Sequence, residues 1–210
     1  MSNITYLRPK RQTNQGWFQA SIDQIRSCFD EMARAEFAAG LARVASELGQ
    51  RLAAGGTIYW CGNGGSSSDA QHLAAELVGR FGRPGRGWPS VALTADSAVL
   101  TSAANDFGYE TVFQRQVAAL AGPADAVVGI STSGASGNVI AAIAEARKLG
   151  ALTVALTGPD ESPLAGAAEL AIRAPGGSPS EIQTCHIAIG QLLCEAAIEL
   201  AEAWEEQRAA

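Results

Sequence analysis

Ile58-Tyr59-Trp60-Cys61-Gly62-Asn63-Gly64-Gly65-Ser66-Ser67-Ser68-Asp69-Ala70-Gln71-His72-Leu73-Ala74-Ala75-Glu76 holds the decisive change of pattern in this chain. Four apolar residues run into glycines and serines, and a helix-forming segment then carries a histidine and a glutamate four positions apart. The order reads as a strand, a tight anion-accepting loop and a helix, because free N–H groups and the dipole at a helix start favour negative charge. His72 and Glu76, at i and i+4, share one side of that helix.

The arrangement recurs at Val127-Val128-Gly129-Ile130-Ser131-Thr132-Ser133-Gly134-Ala135-Ser136-Gly137-Asn138-Val139. Ser131, Thr132, Ser133 and Ser136 supply more hydroxyls than a turn requires, so a phosphate held by neutral donors is the expected ligand. Neither loop is a Walker A sequence, since no Gly-Lys-Ser/Thr opens the helix. Neither is GxGxxG, since Ser67 stands where the third glycine belongs. No nucleotide cofactor is expected.

Upstream of the first loop, Phe18, Ile22, Ile25, Phe29 and Met32, then Phe37, Leu41, Val44, Leu48 and Leu52, recur at helical spacing between about Trp17 and Ala54. Two helices therefore precede the first strand, and they cover either their own sheet or a subunit partner. After Gly55-Gly56, short apolar runs alternate with helical segments: Thr57–Cys61 and a helix to Arg80, Ser90–Leu93 and helices to Leu120, Ala126–Ile130 and Val139–Leu149, Leu152–Thr157, Leu170–Ala174. The predicted fold is α/β, a five-stranded parallel sheet doubly wound with helices, in a single domain over residues 15–210. Residues 1–14 are polar and expected to be flexible.

With 210 residues, 47% hydrophobic content, a net charge of -6 and a pI near 5.0, the chain has one sizeable core and an acidic surface. Nucleic acid and membrane partners are not expected; Arg80, Arg83 and Arg86 form only a local basic patch, and no apolar run approaches a membrane span. The four cysteines lack metal spacing and read as reduced cytoplasmic thiols.

The last helix, from near Ser180 to about Gln207, carries Gln183, His186 and Gln191. Gln183 and Gln191 lie roughly 80° apart around the axis and His186 roughly 140° from Gln191, so the two glutamines share a site more easily. His186 is expected in the core or facing a partner.

Cys61-Gly-Asn-Gly-Gly-Ser66, Asp69-Ala-Gln-His72, Glu76, Arg80, Asn105-Asp106-Phe107-Gly108, Ile130-Ser-Thr-Ser-Gly134, Leu156-Thr-Gly158 and Ile182-Gln183 together resemble the sedoheptulose 7-phosphate (phosphoheptose) isomerases of the sugar-isomerase, or SIS, domain class. The resemblance implies a homotetramer with sites between subunits, interconverting D-sedoheptulose 7-phosphate and D-glycero-D-manno-heptose 7-phosphate on the way to nucleotide-heptose. It implies that Asn63, Gly64, Gly65, Ser66, Ser131, Thr132, Ser133 and Ser136 hold the phosphate and neighbouring oxygens, with Arg80, Asp106 and Gln183 near the sugar. Glu76 takes the position of the carbon base, and the residue at 191 that of its partner. Family members also carry zinc, one per subunit, and His72, Glu76, Gln183 and Gln191 occupy the ligand positions.

Two positions depart from the family pattern. Gln191 stands where a histidine is usual, and an amide cannot take and return a proton near neutral pH. Ser180 stands where an acidic residue is frequent. An impaired isomerase and a non-catalytic sugar-phosphate-binding or protein-binding SIS adaptor are the two readings that these changes open; retention of Glu76 speaks for the enzyme.

Overall fold

A computed structural model describes residues 15–79 and 85–209; Arg80, Arg83 and the segment 1–14 lie outside the described residues. Two helices lead, α1 (Gln15–Met32) and α2 (Ala35–Ala53), followed by β1 (Ile58–Gly62), α3 (Gly65–Val78), β2 (Ser90–Ala92), α4 (Ser97–Phe107) and α5 (Val112–Leu120). Then come β3 (Ala126–Ser131), α6 (Gly137–Lys148), β4 (Leu152–Thr157), α7 (Pro163–Ala167), β5 (Leu170–Arg173) and α8 (Pro179–Ala209). The sheet has five parallel strands in the order β2-β1-β3-β4-β5, as the alternating pattern predicts. The short helix α7 was not anticipated: five residues hold too little periodicity to read, and it is set by Ser162 capping the Ala165 N–H and by Pro163 in the first turn.

β3 and β4 are buried along their whole length, as strands covered on both faces must be. Alternate residues serve opposite faces. Ile58, Trp60, Val128, Ile130, Val154 and Leu156 point into a core shared with α2, α3 and α8. Tyr59, Cys61, Val127 and Ala155 point into a second core with α5 and α6. All four cysteines are free and buried in these layers.

α8, by length and composition, is apolar enough to cross a membrane, contrary to the expectation that no run would be. Ile182, Cys185, Ile189, Leu193, Cys194, Ala197 and Ala201 instead pack into the first core, which makes it a core helix. Where α8 crosses α3, Gly190 lies against the Leu73 side chain, and a Cβ there would collide with it. Gly190→Ala gains about 1 kcal/mol of helix propensity, but overpacking a fully buried leucine costs about 1–3 kcal/mol. A net loss is expected, read as a lower melting temperature; an unchanged or higher value would show that the crossing tolerates a methyl group.

The chain leaves β1 towards β2 on one side and returns to β3 on the other, so a topological switch point falls between them. α3 follows β1 onto the first core and α6 follows β3 onto the second. The two glycine- and serine-rich loops thus open side by side at the carboxyl ends of adjacent strands.

Candidate functional site at the sheet switch point

Gly64, at φ 57°, caps α3, a conformation that a side chain would strain. Ser66 is 6% exposed at the first turn. On the facing loop, Ser131 is buried, with its Oγ 3.0 Å from Ser136 Oγ and 3.4 Å from Ser133 Oγ; Ser133 Oγ accepts from the Ala135 N–H at 3.2 Å. Two bonds among these three hydroxyls use two of their three O–H hydrogens, so one is left to donate to an oxyanion and the others can turn to it by giving up these contacts. Thr132 and Ser133 also border a cleft of about 220 Å³ shared with Gly158, Asp160, Gly177 and Ser178.

A reciprocal amide pair joins the two loops. Asn63 donates from Nδ2 to Asn138 Oδ1 at 2.8 Å, and Asn138 donates back to Asn63 Oδ1 at 2.9 Å. The Tyr109 hydroxyl donates to the same Asn63 oxygen at 3.0 Å. Asn138 and Tyr109 received no role from sequence. Their only signals there were the position of Asn138 directly after the second loop and that of Tyr109 directly after Asn105–Gly108. Asp106 sits at the exposed end of α4, accepting from Asn105 Nδ2 at 2.8 Å, and it is Tyr109 that reaches the first loop.

His72 Nε2 lies 2.8 Å from Glu76 Oε1, one turn along α3. A carboxylate can only accept, so the imidazole donates to it. Gln191 Nε2 approaches the same nitrogen at 3.4 Å, which places α8 beside the pair. Gln183 lies over Gly65, where any Cβ would collide with its amide. The two glutamines therefore both face α3, as their spacing predicts. His186 is fully buried, bonded through Nε2 to the Thr157 carbonyl at 2.9 Å, and burial lowers its pKa. It is a core histidine.

The four residues at the family's metal positions supply one imidazole, one carboxylate and two amides. Zinc takes histidine, thiolate and carboxylate ligands, three of them in its open catalytic sites. Among the described residues no group of three His, Cys, Asp or Glu is placed to hold a metal ion. The donor set does not fit zinc.

Asp69, one turn before His72, is 8% exposed, and its Oδ2 has no hydrogen-bond partner among the described residues. Burial pushes its pKa up to about 6 against the opposing pull of His72. A carboxyl whose folded pKa lies above its unfolded value contributes stability below the unfolded value and loses it as pH rises through the folded one. Between about pH 4 and 6 the protein should therefore lose on the order of 1–3 kcal/mol through this group. Asp69→Asn should flatten that part of the stability curve in denaturant titrations; an identical slope in both proteins would assign the pH dependence elsewhere.

The SIS domain family model matches residues 22–158. A phosphoheptose isomerase of Aquifex aeolicus is 41% identical over 85% of this chain and 97% of its own. A solved phosphoheptose isomerase from Francisella tularensis is 30% identical, with a TM-score of 0.83 over 88% of this chain and 97% of its own. The corresponding Neisseria gonorrhoeae structure is 35% identical, with a TM-score of 0.80 over 86% and 97%.

Proposed function

Because the chain belongs to the phosphoheptose isomerase family of SIS domain proteins, we propose that it interconverts D-sedoheptulose 7-phosphate and D-glycero-D-manno-heptose 7-phosphate. The observation that carries this reading is the placement of the His72–Glu76 pair on the helix that springs from one of two adjoining hydroxyl-rich loops. The loops suit a phosphomonoester, which anchors the far end of the sugar. A ketose-to-aldose shift then needs a base that takes a proton from one carbon and returns it to its neighbour through an enediol.

Glu76 is that base in this reading. The His72 N–H orients its carboxylate, and an imidazole can both give and take a proton for the two oxygens, with water serving where Gln191 cannot. No step runs through zinc. The same reading takes the protein to be soluble and cytoplasmic, and a homotetramer with sites between subunits. What supports assembly is α1, whose Phe18 and Ile22 stand 56% and 57% exposed, an apolar face for a second subunit to cover.

The test is to incubate purified protein with sedoheptulose 7-phosphate and follow the aldose by NMR. Formation of the aldose supports the isomerase, and its absence in the presence of tight sugar-phosphate binding turns the assignment to the second reading, a non-catalytic sugar-phosphate-binding adaptor. Gln191 is the observation that favours that alternative.

A further inference from the structure

The backbone fixes the orientation of the amide pair at the loop junction. The Val139 N–H can only donate, and it lies 3.0 Å from Asn138 Oδ1, so that atom is the carbonyl oxygen. Asn138 Nδ2 must then face Asn63 Oδ1, and Asn63 Nδ2 must face Asn138 Oδ1. The Tyr109 hydroxyl adds a second donor to Asn63 Oδ1 at 3.0 Å. Both acceptor positions of that oxygen are filled, and one of the two Nδ2 hydrogens is used. What remains is a single Nδ2 hydrogen without a partner among the described residues.

An unrestrained asparagine presents either end of its amide to a ligand. Here turning the amide over would set Nδ2 against Asn138 Nδ2, two donors facing each other, and would lose both bonds of the pair. We infer that Asn138 and Tyr109 are positioning residues that lock Asn63 so that it meets the bound sugar phosphate only as a hydrogen-bond donor. Its partner is an oxygen that accepts: a phosphate oxygen or the oxygen that gathers charge as the enediol forms. The inference rests on the sugar-phosphate reading above. Neither positioning residue needs to touch the substrate, because each acts through Asn63.

Tyr109→Phe and Asn63→Ala, made singly and together in the full chain, test it by calorimetric titration with sedoheptulose 7-phosphate and by steady-state kinetics. Tyr109→Phe should weaken binding about fivefold, the worth of one ordinary hydrogen bond, and raise KM more than it lowers kcat. In the Asn63→Ala background the same change should do nothing further. An equal effect in both backgrounds, or none in either, overturns the inference. In the ligand-free protein, side-chain amide exchange by NMR should show one protected and one fast Asn63 proton, both fast in Asn138→Ala or, should that variant not fold, both faster in Tyr109→Phe. Two equally fast protons in the wild type overturn the lock alone. Failure of the wild type to bind any sugar phosphate overturns the functional reading and the donor role with it.

Discussion

Glu76→Gln should abolish isomerisation, lowering kcat by about 10²–10⁴-fold, the range spanned by removal of a positioned acid–base group. The substitution keeps the shape of the side chain and an oxygen that accepts from His72 Nε2, whose bond to Glu76 is 2.8 Å, so the helix surface is preserved. What it removes is a group able to take a proton from carbon. Sugar-phosphate affinity should change by no more than a few fold, because the hydroxyls of Ser66, Ser131 and Ser136 are untouched. Kinetics with calorimetry on the same protein separates the two: a kcat within threefold of wild type would show that the base lies elsewhere, and lost binding would show that Glu76 holds substrate.

The second large effect runs the other way. Gln191→His should raise kcat by about 10²-fold or more, since it places a second group that gives and takes protons beside the Glu76–His72 pair. The position is already at the site: the present amide stands 3.4 Å from His72 Nε2. The same change would give the donor set a second imidazole beside His72, with Glu76 as carboxylate. Zinc should then raise the melting temperature of the variant and leave that of the wild type unmoved. A variant no faster than the parent would mean that water and His72 already move the oxygens' protons without hindrance. A zinc response equal in both proteins would show that the two amides suffice as ligands.

Much of this was legible in the residues. Strand, loop and helix at Ile58–Glu76 could be read because each step changes residue type abruptly, from apolar to glycine and serine to helix formers. The two-glutamine face of α8 followed from helical geometry alone, as did the exclusion of His186 from it. Asn138 and Tyr109 were not legible, because their partner Asn63 is 75 and 46 residues away and no local pattern encodes such a pairing. Nothing in the sequence marks Asp69 as unusual, because its raised pKa comes from burial on the covered side of α3, which only the packed molecule supplies. Strand and helix limits differed from expectation by one or two residues, the usual fraying of element ends.

The passage of α8 over α3 at Gly190 has a consequence for how freely the chemistry can change. One side of α8 is committed to the core through Ile182, Cys185, Ile189 and Leu193, while Gln183 and Gln191 lie beside it, facing Gly65 and His72 of α3. Close approach is secured by a residue with no side chain, so nothing at 191 is needed to hold the helices together. On the proposed isomerase reading, an exchange at 191 would therefore change the second proton carrier while leaving the core side of α8 and its crossing with α3 as they are.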